Sequence, residues 1–444
     1  MTHTLAAHTK RACEAATLMG ATITENVQRA EPAPIPSDDA LLDSPITLIT
    51  GPSGAGKTTV LRHARQRLET RGVKTVDPDA LRPADKPAVD LLARDTQRAM
   101  RALAEVGLAE LRCFVRRPRE LSAGQRARLR IALAVDRAPR TRAAAIIIDE
   151  FASSLDDLTA RTLAQLIRRL AAKHTNLRFI IATNRDRLAR HIAPNTHLHV
   201  DLTGQITTRR TAPAPIMPID IAEGRRADLQ ALAHHHYRAG LPATIERVIR
   251  AIDRETGTLA GVLAISRPTL NGAWRAHAWP GRFNAKDKSA NARAINRDLR
   301  TISRVIVDPR FRAVGLAKSL VRGYLRNPDT DCTEAIAAMG AVCPFFASAG
   351  MVTHTITRRP ADERLIRALR DAGVETWRLA TPDLALARAL RNAGEHTIDR
   401  ELRIWARASA STSKRADAPI QTIFNRACTA LAAPPIAYTH TKHP

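Results

Sequence analysis

The sequence predicts an α/β chain of two successive sheet-and-helix units closed by a helical stretch, and three observations predict it. From Ile46 to about Arg210 short β-rich runs alternate with helical periodicity, which calls for a parallel-rich sheet with crossover helices. A stretch with three prolines in ten residues, "TAPAPIMPID", breaks that pattern, and a second α/β segment follows from about Ile219 to Arg358. Beyond Pro360, "ADERLIRALRDAG" and "DLALARALRNAG" repeat at helical spacing and each stops at a glycine. The expected divisions are a helical and extended lead over 1–41, a first unit over 42–210, a proline-rich linker over 211–220, a second unit over 221–358, and a helical extension with a frayed tail over 359–444.

Length and composition bound the answer. At about 150 residues per domain, 444 residues suggest two or three domains. With 44% hydrophobic and 25% charged residues the chain can bury a sizeable core, which excludes wholesale disorder. Apolar runs such as Ala143–Ile148 are far shorter than the roughly 18 residues a membrane span needs. The first thirty or so residues lack a basic start followed by an apolar block, so a secretory signal is not expected and a cytoplasmic location is. Five cysteines without a CxxC pair argue for reduced thiols and against a thiolate zinc site. The net charge of +26 has two readings: a nucleic-acid partner, or a compositional bias that loads arginine onto any solvated face, since only ten of the 69 basic residues are lysine.

In the first unit the run "ITLIT" leads into "GPSGAGKTT", which places the spacing GxxxxGK[ST] between a strand and a helix. Gly51, Gly54 and Gly56 let the backbone fold back, with Pro52, Ser53 and Ala55 between them, so that successive N–H groups and the helix start surround a β-phosphate. Lys57 is expected to bridge the β- and γ-phosphates, Thr58 to ligate Mg²⁺, and Thr59 to close the ATP-binding loop. "AAAIIIDE" reads as a strand buried on both faces and ending in two acids. Asp149 is placed to hold Mg²⁺ through water, and Glu150 to orient or deprotonate the attacking water. Alone, the same two acids also read as caps of a following helix. "RFIIAT" leads to Asn184, expected beside the γ-phosphate, and "LHVDL" completes the pattern.

"LSAGQ", Leu121 to Gln125, opens a further helix, where Ser122 and the N–H groups of Ala123 and Gly124 present a positive helix end. With this element the first unit resembles ABC-type ATPases. Gly51–Thr59 matches their Walker A loop, Leu121, Ser122, Ala123, Gly124 and Gln125 match the LSGGQ signature with Ala123 for one glycine, Ile146–Glu150 matches Walker B, and Ser153–Asp156 resembles the D-loop. The resemblance implies a P-loop ATPase with a short helical subdomain and a head-to-tail homodimer, two ATP molecules being sandwiched so that each signature completes the other subunit's site. Three departures stand out: Asn184 replaces a frequent histidine, which implies slow hydrolysis, no aromatic residue precedes the loop to stack on adenine, and no Q-loop is found, which argues against coupling to a membrane partner.

In the second unit "RTISRVIVDPRFRAVGLAKSLVRGYL" gives a strand, a turn and an amphipathic helix. It resembles motif A of GNAT-superfamily acyltransferases, [QR]xxGx[GA]. The resemblance implies that Arg312, Ala313, Val314, Gly315, Leu316 and Ala317 bind the pyrophosphate of acetyl-CoA or another acyl-CoA through backbone N–H groups. "TEAIAAMGAVCPFFASAGM" resembles the next strand and helix, with Phe346 where many members carry a tyrosine acid. Cys343 reads either as a reactive thiol or as packing, Glu334 either as a base or as a paired carboxylate, and His234–Arg238 either as a metal cluster or as a cleft element. The expected function is an ATP-hydrolysing, ATP-dimerised head coupled to acyl transfer onto a macromolecule, nucleic acid being preferred. The alternatives are an ATP-driven DNA-binding or clamping module with a non-catalytic second unit and, last, a transporter's nucleotide-binding subunit.

Overall fold

A computed structural model describes residues 10–20, 44–92, 95–215, 218–236, 240–431 and 435–442. Within the lead, Lys10–Leu18 is an exposed helix followed by a turn at Met19 and Gly20, and residues 1–9 and 21–41 lie outside the described residues.

The first unit is built on six strands, β1 (Ile46–Thr50), β2 (Lys74–Val76), β3 (Ala144–Ile148), β4 (Leu177–Thr183), β5 (Thr196–Val200) and β6 (Ile206–Arg209), in the order β2-β3-β4-β1-β5-β6. All neighbours are parallel except β5 and β6. Both faces are covered, as the apolar runs require. One face, Ile49, Ala145, Ile147, Ile180 and Ala182, packs on Val60, Leu61, Ala64 and Leu68 of α1 (Lys57–Thr70). The other, Leu48, Ile146, Ile148, Phe179 and Ile181, packs among α2 (Thr96–Glu105), α3 (Leu111–Val115), α4 (Ala123–Arg137) and α5 (Asp157–Lys173).

The second unit is a seven-stranded sheet of β7 (Ile219–Glu223), β8 (Ile245–Asp253), β9 (Leu259–Ser266), β10 (Leu299–Val307), β11 (Cys332–Ala337), β12 (Val352–Thr355) and β13 (Ile436–Thr441). Their order is β12-β13-β11-β10-β9-β8-β7, and only β10 and β11 run parallel. Helix α6 (Leu316–Leu325) lays Leu316, Leu320, Val321 and Tyr324 on Leu263, Ile265 and Ile302 of the sheet. Between β12 and β13 stand four longer helices, α7 (Pro360–Asp371), α8 (Pro382–Ala393), α9 (Glu395–Arg407) and α10 (Ile420–Leu431), and the single-turn helix Ala410–Ser413, with a core of their own around Leu369, Leu386, Leu402, Trp405 and Phe424.

Two expected boundaries are corrected. The tail expected to fray contains β13, which sits between β11 and β12 with Ala437 and Tyr438 buried, so the helices interrupt the second sheet instead of extending the chain beyond it. The linker expected over 211–220 gives up Ile219 and Asp220 to edge strand β7, and its Ala214 is tied to the first unit by an N–H bond to the Arg190 carbonyl and by its own carbonyl, which accepts from Arg168.

The two units are clasped by arginines. Arg161 of α5 pairs with Asp253 and Glu255 at the β8–β9 turn, Arg312 pairs with Glu110 just before α3, and Arg128 of α4 donates to the carbonyls of Arg310 and Arg312.

Candidate functional site

The phosphate loop leaves the sheet at the end of β1, where Thr50 pairs with Thr183 of β4 and with His199 of β5. Gly51 takes φ 148°, and a Cβ built there would lie 2.0 Å from the Val200 carbonyl oxygen, so no other residue fits this close approach. Gly54 and Gly56 are left-handed at φ 83° and 93°, which turns the backbone back over the start of α1. Gly56 caps α1 without a side-chain hydrogen bond, and its carbonyl takes the Thr59 N–H at 2.9 Å, which leaves the N–H groups of Lys57 and Thr58 to face an anion. The Lys57 ammonium donates to the carbonyls of Gly51 and Pro52 at 2.8 and 2.6 Å, which holds it over the loop's mouth.

Thr58 donates its hydroxyl to Asp149 at 2.7 Å. A hydroxyl and a carboxylate oxygen brought together at the strand ends form a hard-oxygen donor pair of the kind Mg²⁺ takes, so the residues fit the ion. Asp149 also accepts the Glu150 N–H at 2.9 Å. Glu150 follows, exposed and left-handed at φ 46°, as Ala152 is at φ 58°. Asn184, exposed, stands one residue past the Thr183 that pairs with Thr50, which brings it alongside Gly51 across the sheet. Residues 51–59, 149–150 and 184 thus converge on the carboxyl end of one parallel sheet.

Leu121–Gln125 stands apart from this cluster. Ser122 is the N-cap of α4 in a reciprocal box: its hydroxyl accepts the Gln125 N–H at 3.3 Å, and the Gln125 amide oxygen accepts the Ser122 N–H at 3.0 Å. Leu121 is buried as an anchor, and Ser122 and Ala123 are exposed. A Cβ on Gly124 would come within 3.0 Å of the Thr159 methyl, which explains its small side. Among the described residues no hydrogen bond joins 121–125 to 51–59.

In the second unit Asp308 starts the loop between β10 and α6 by accepting the Arg310 N–H at 2.9 Å. Ala313 (φ 62°) and Gly315 (φ 92°) then swing the backbone into α6. Side chains expected at an acyl-CoA site are engaged elsewhere. The Arg312 guanidinium bonds Glu110 and the Val307 carbonyl, while Val314 and Leu316 are buried in the core, so only the backbone N–H groups of 313–317 remain for a ligand. For three further candidates, each open to two readings in the sequence, the structure favours the structural one. Glu334 is fully buried and saturated by Arg275, the Trp274 indole and Thr301, so it is a structural carboxylate rather than a base. Burial pushes the Cys343 thiol up to about 11, so it is no ready nucleophile. The rings of His234 and His235 lie 3.8 Å apart and tilted by 45°, residues 237 and 238 of that stretch lie outside the described residues, and the described residues hold no cluster with metal-binding composition. Phe346, buried against Tyr438, packs the core.

Sequence reasoning missed Glu110, Arg128, Arg161 and Arg185, each a lone charged residue whose partner lies far along the chain. Nothing local distinguishes them among so many arginines.

The comparisons agree with the geometry of the first unit. The family described as "AAA ATPase domain" matches residues 38–181, about a third of the chain. Shikimate kinase of Saccharopolyspora erythraea is 38% identical over 66 residues, 15% of this chain, and the chain spans 37% of that relative's length. Among solved structures, the bacterial ABC transporter cassette MJ0796, solved as a dimer, is 21% identical with a TM-score of 0.30, covering 37% of this chain and 85% of that one. The cbiO1 protein of Clostridium perfringens, part of an ABC transporter complex, is 18% identical with a TM-score of 0.29, covering 36% and 75%. The loop geometry and the matched family together make the first unit an α/β P-loop ATPase-like fold. Among the described residues no helix is long and apolar enough to cross a membrane.

Proposed function

We propose that this chain is an ABC-type ATPase that hydrolyses ATP between two head-to-tail copies and couples that cycle to a second unit acting on a macromolecule. One observation carries the reading: a complete phosphate loop with its Thr58–Asp149 pair and Glu150 sits at the carboxyl end of the first sheet, while a fully formed, solvent-facing signature turn at Ser122 shares no hydrogen bond with it among the described residues. A helix start with its positive end exposed suits a γ-phosphate presented by another subunit. Lys57 would exchange its loop carbonyls for the β- and γ-phosphates, Thr58 and Asp149 would hold Mg²⁺, which neutralises phosphate charge when bound, and Glu150 would take the proton of the attacking water. Asn184 can donate to a phosphate oxygen but cannot carry a charge, which suits slow turnover.

For the second unit the reading is acyl-CoA binding on the backbone N–H groups of 313–317, with an acyl group passed to a macromolecular substrate, nucleic acid being favoured by the charge of +26. One observation favours a non-catalytic variant of the same fold, in which that unit only binds. Glu334 is saturated and Phe346 is buried, so neither supplies an acid or a base. Size-exclusion chromatography of Glu150→Gln with and without ATP tests the head: an ATP-dependent dimer is expected, and a monomer at saturating ATP overturns the proposal. Retention of labelled acetyl-CoA by the wild-type chain separates the two readings of the second unit, since only the acyltransferase reading requires it.

A further inference from the structure

Among the described residues no hydrogen bond or ion pair reaches the Glu150 carboxylate, so the backbone of the turn that carries it sets where the carboxylate starts from. That turn is strained, because Glu150 and Ala152 are both left-handed without being glycine. Such conformations are costly for a residue with a side chain and persist only where the surroundings over-determine them. The surroundings here are the end of β4. The Phe151 N–H donates to the Ala182 carbonyl at 2.8 Å, and the Thr183 hydroxyl donates to the Phe151 carbonyl at 3.0 Å. Arg185 supplies the rest: its guanidinium donates to the carbonyls of Leu155 at 2.6 Å and Ser153 at 3.3 Å, and reaches Asp157 at 3.4 Å. Its own N–H donates to the Thr183 hydroxyl at 3.2 Å, which joins both sets of bonds in one network.

We infer that Arg185 is a positioning residue for hydrolysis, its guanidinium locking the strained turn after Glu150 to the strand end that carries Asn184. The inference rests on the ATPase reading above. A planar fork that spans two carbonyls and a carboxylate is what the geometry uses, and a lysine ammonium, a point donor on a flexible stem, cannot reproduce it. Arg185 touches neither the phosphate loop nor the Thr58–Asp149 pair, so its loss acts on turnover and leaves nucleotide binding alone.

The test is ATP hydrolysis and equilibrium binding of labelled ATP by the full chain carrying Arg185→Ala, Arg185→Lys or Glu150→Gln. For both Arg185 variants the expected result is a kcat lower by about tenfold or more with ATP affinity within about twofold of wild type, the pattern of an interaction that matters in the transition state alone. Thr183→Val, which cuts the same network at its hydroxyl, is expected to lower kcat in the same direction and serves if Arg185→Ala does not fold. Arg185 variants that turn over at the wild-type rate, or that lose ATP affinity in step with kcat, overturn the inference while active wild type and inactive Glu150→Gln leave the ATPase reading standing. A wild-type chain that neither binds nor hydrolyses ATP overturns the ATPase reading itself.

Discussion

Arg128 reaches from the helix that begins at Ser122 to the backbone of Arg312, donating to its carbonyl at 3.3 Å, and the same guanidinium serves the carbonyls of Val106 at 2.8 Å and Arg310 at 3.2 Å and the Thr162 hydroxyl at 3.2 Å. Burial, with the Arg312 charge added, brings its pKa down to about 10, so it remains charged at neutral pH. Any displacement of α4 is therefore passed directly to the loop in front of α6. Arg128→Met leaves the buried Val106 carbonyl and the part-buried carbonyls of Arg310 and Arg312 without that donor and is expected to cost about 2–3 kcal/mol. Urea unfolding measures it, and an unchanged midpoint would contradict the clasp.

The Arg312–Glu110 pair is half of the same clasp. Arg312→Ala and Glu110→Gln are each expected to destabilise the chain, with a coupling of about 1–3 kcal/mol in the double mutant. Arg312→Ala is expected to leave acetyl-CoA retention within about twofold, because the guanidinium is committed to Glu110. A selective loss of acetyl-CoA with stability intact would return Arg312 to the ligand.

Gly51→Ala forces the loop away from Val200, the added carbon lying 2.0 Å from a backbone oxygen that cannot yield. ATP affinity is expected to fall at least about tenfold, equivalent to about 1.4 kcal/mol. Gly54→Ala, where the added carbon meets nothing within 4 Å, is expected to have the smaller effect, through its positive φ alone. Equal affinities for the two variants would refute the close-approach argument.

Removal of residues 432–444 takes away a strand with partners on both sides and is expected to unfold the second sheet. Replacement of 356–435 by an Asn-Gly turn keeps the Thr355–Ile436 pair as a hairpin and is expected to leave that sheet folded. Limited proteolysis compares the two variants. Equal resistance would show that β13 is dispensable.

His197 is buried, bonded to Thr50 at 2.9 Å and to Thr211 at 2.7 Å, and burial is the main cause holding its pKa below 6.5, with Asp186 opposing and Arg209 and His199 assisting. The unfolded chain takes up this proton near 6.5 and the folded chain only at lower pH. Folding stability from this group is therefore complete above 6.5 and falls as the pH drops from 6.5 toward the folded value. His197→Gln is expected to flatten the Tm difference between pH 7.5 and pH 5.5. An unchanged difference assigns the acid sensitivity elsewhere.

The first unit was legible because its signals are local. A strand, a loop of fixed spacing and a helix lie together within 46–70, and the apolar runs 144–148 and 177–183 can only be strands covered on both faces. The signature turn was legible for the same reason, Ser122 and Gln125 being three residues apart. What escaped was non-local. "IAYTHT" carries too little pattern to declare itself a strand, and its position between β11 and β12 depends on partners a hundred residues away. Arg312 matched a six-residue motif, but its partner Glu110 belongs to another unit, and no spacing rule reaches that far.

The place of β13 also sets an order of events during synthesis. Among the described residues β12 bonds to no other strand, and one edge of β11 waits for the same partner, so both leave the ribosome with open backbone edges while the helices of 360–431 are still being made. Those helices can collapse first on their own core. Until they have done so and the strand behind them has threaded into its slot, the nascent second unit is exposed to pairing with its neighbours on a polysome, which makes it the part of this molecule most dependent on chaperone protection.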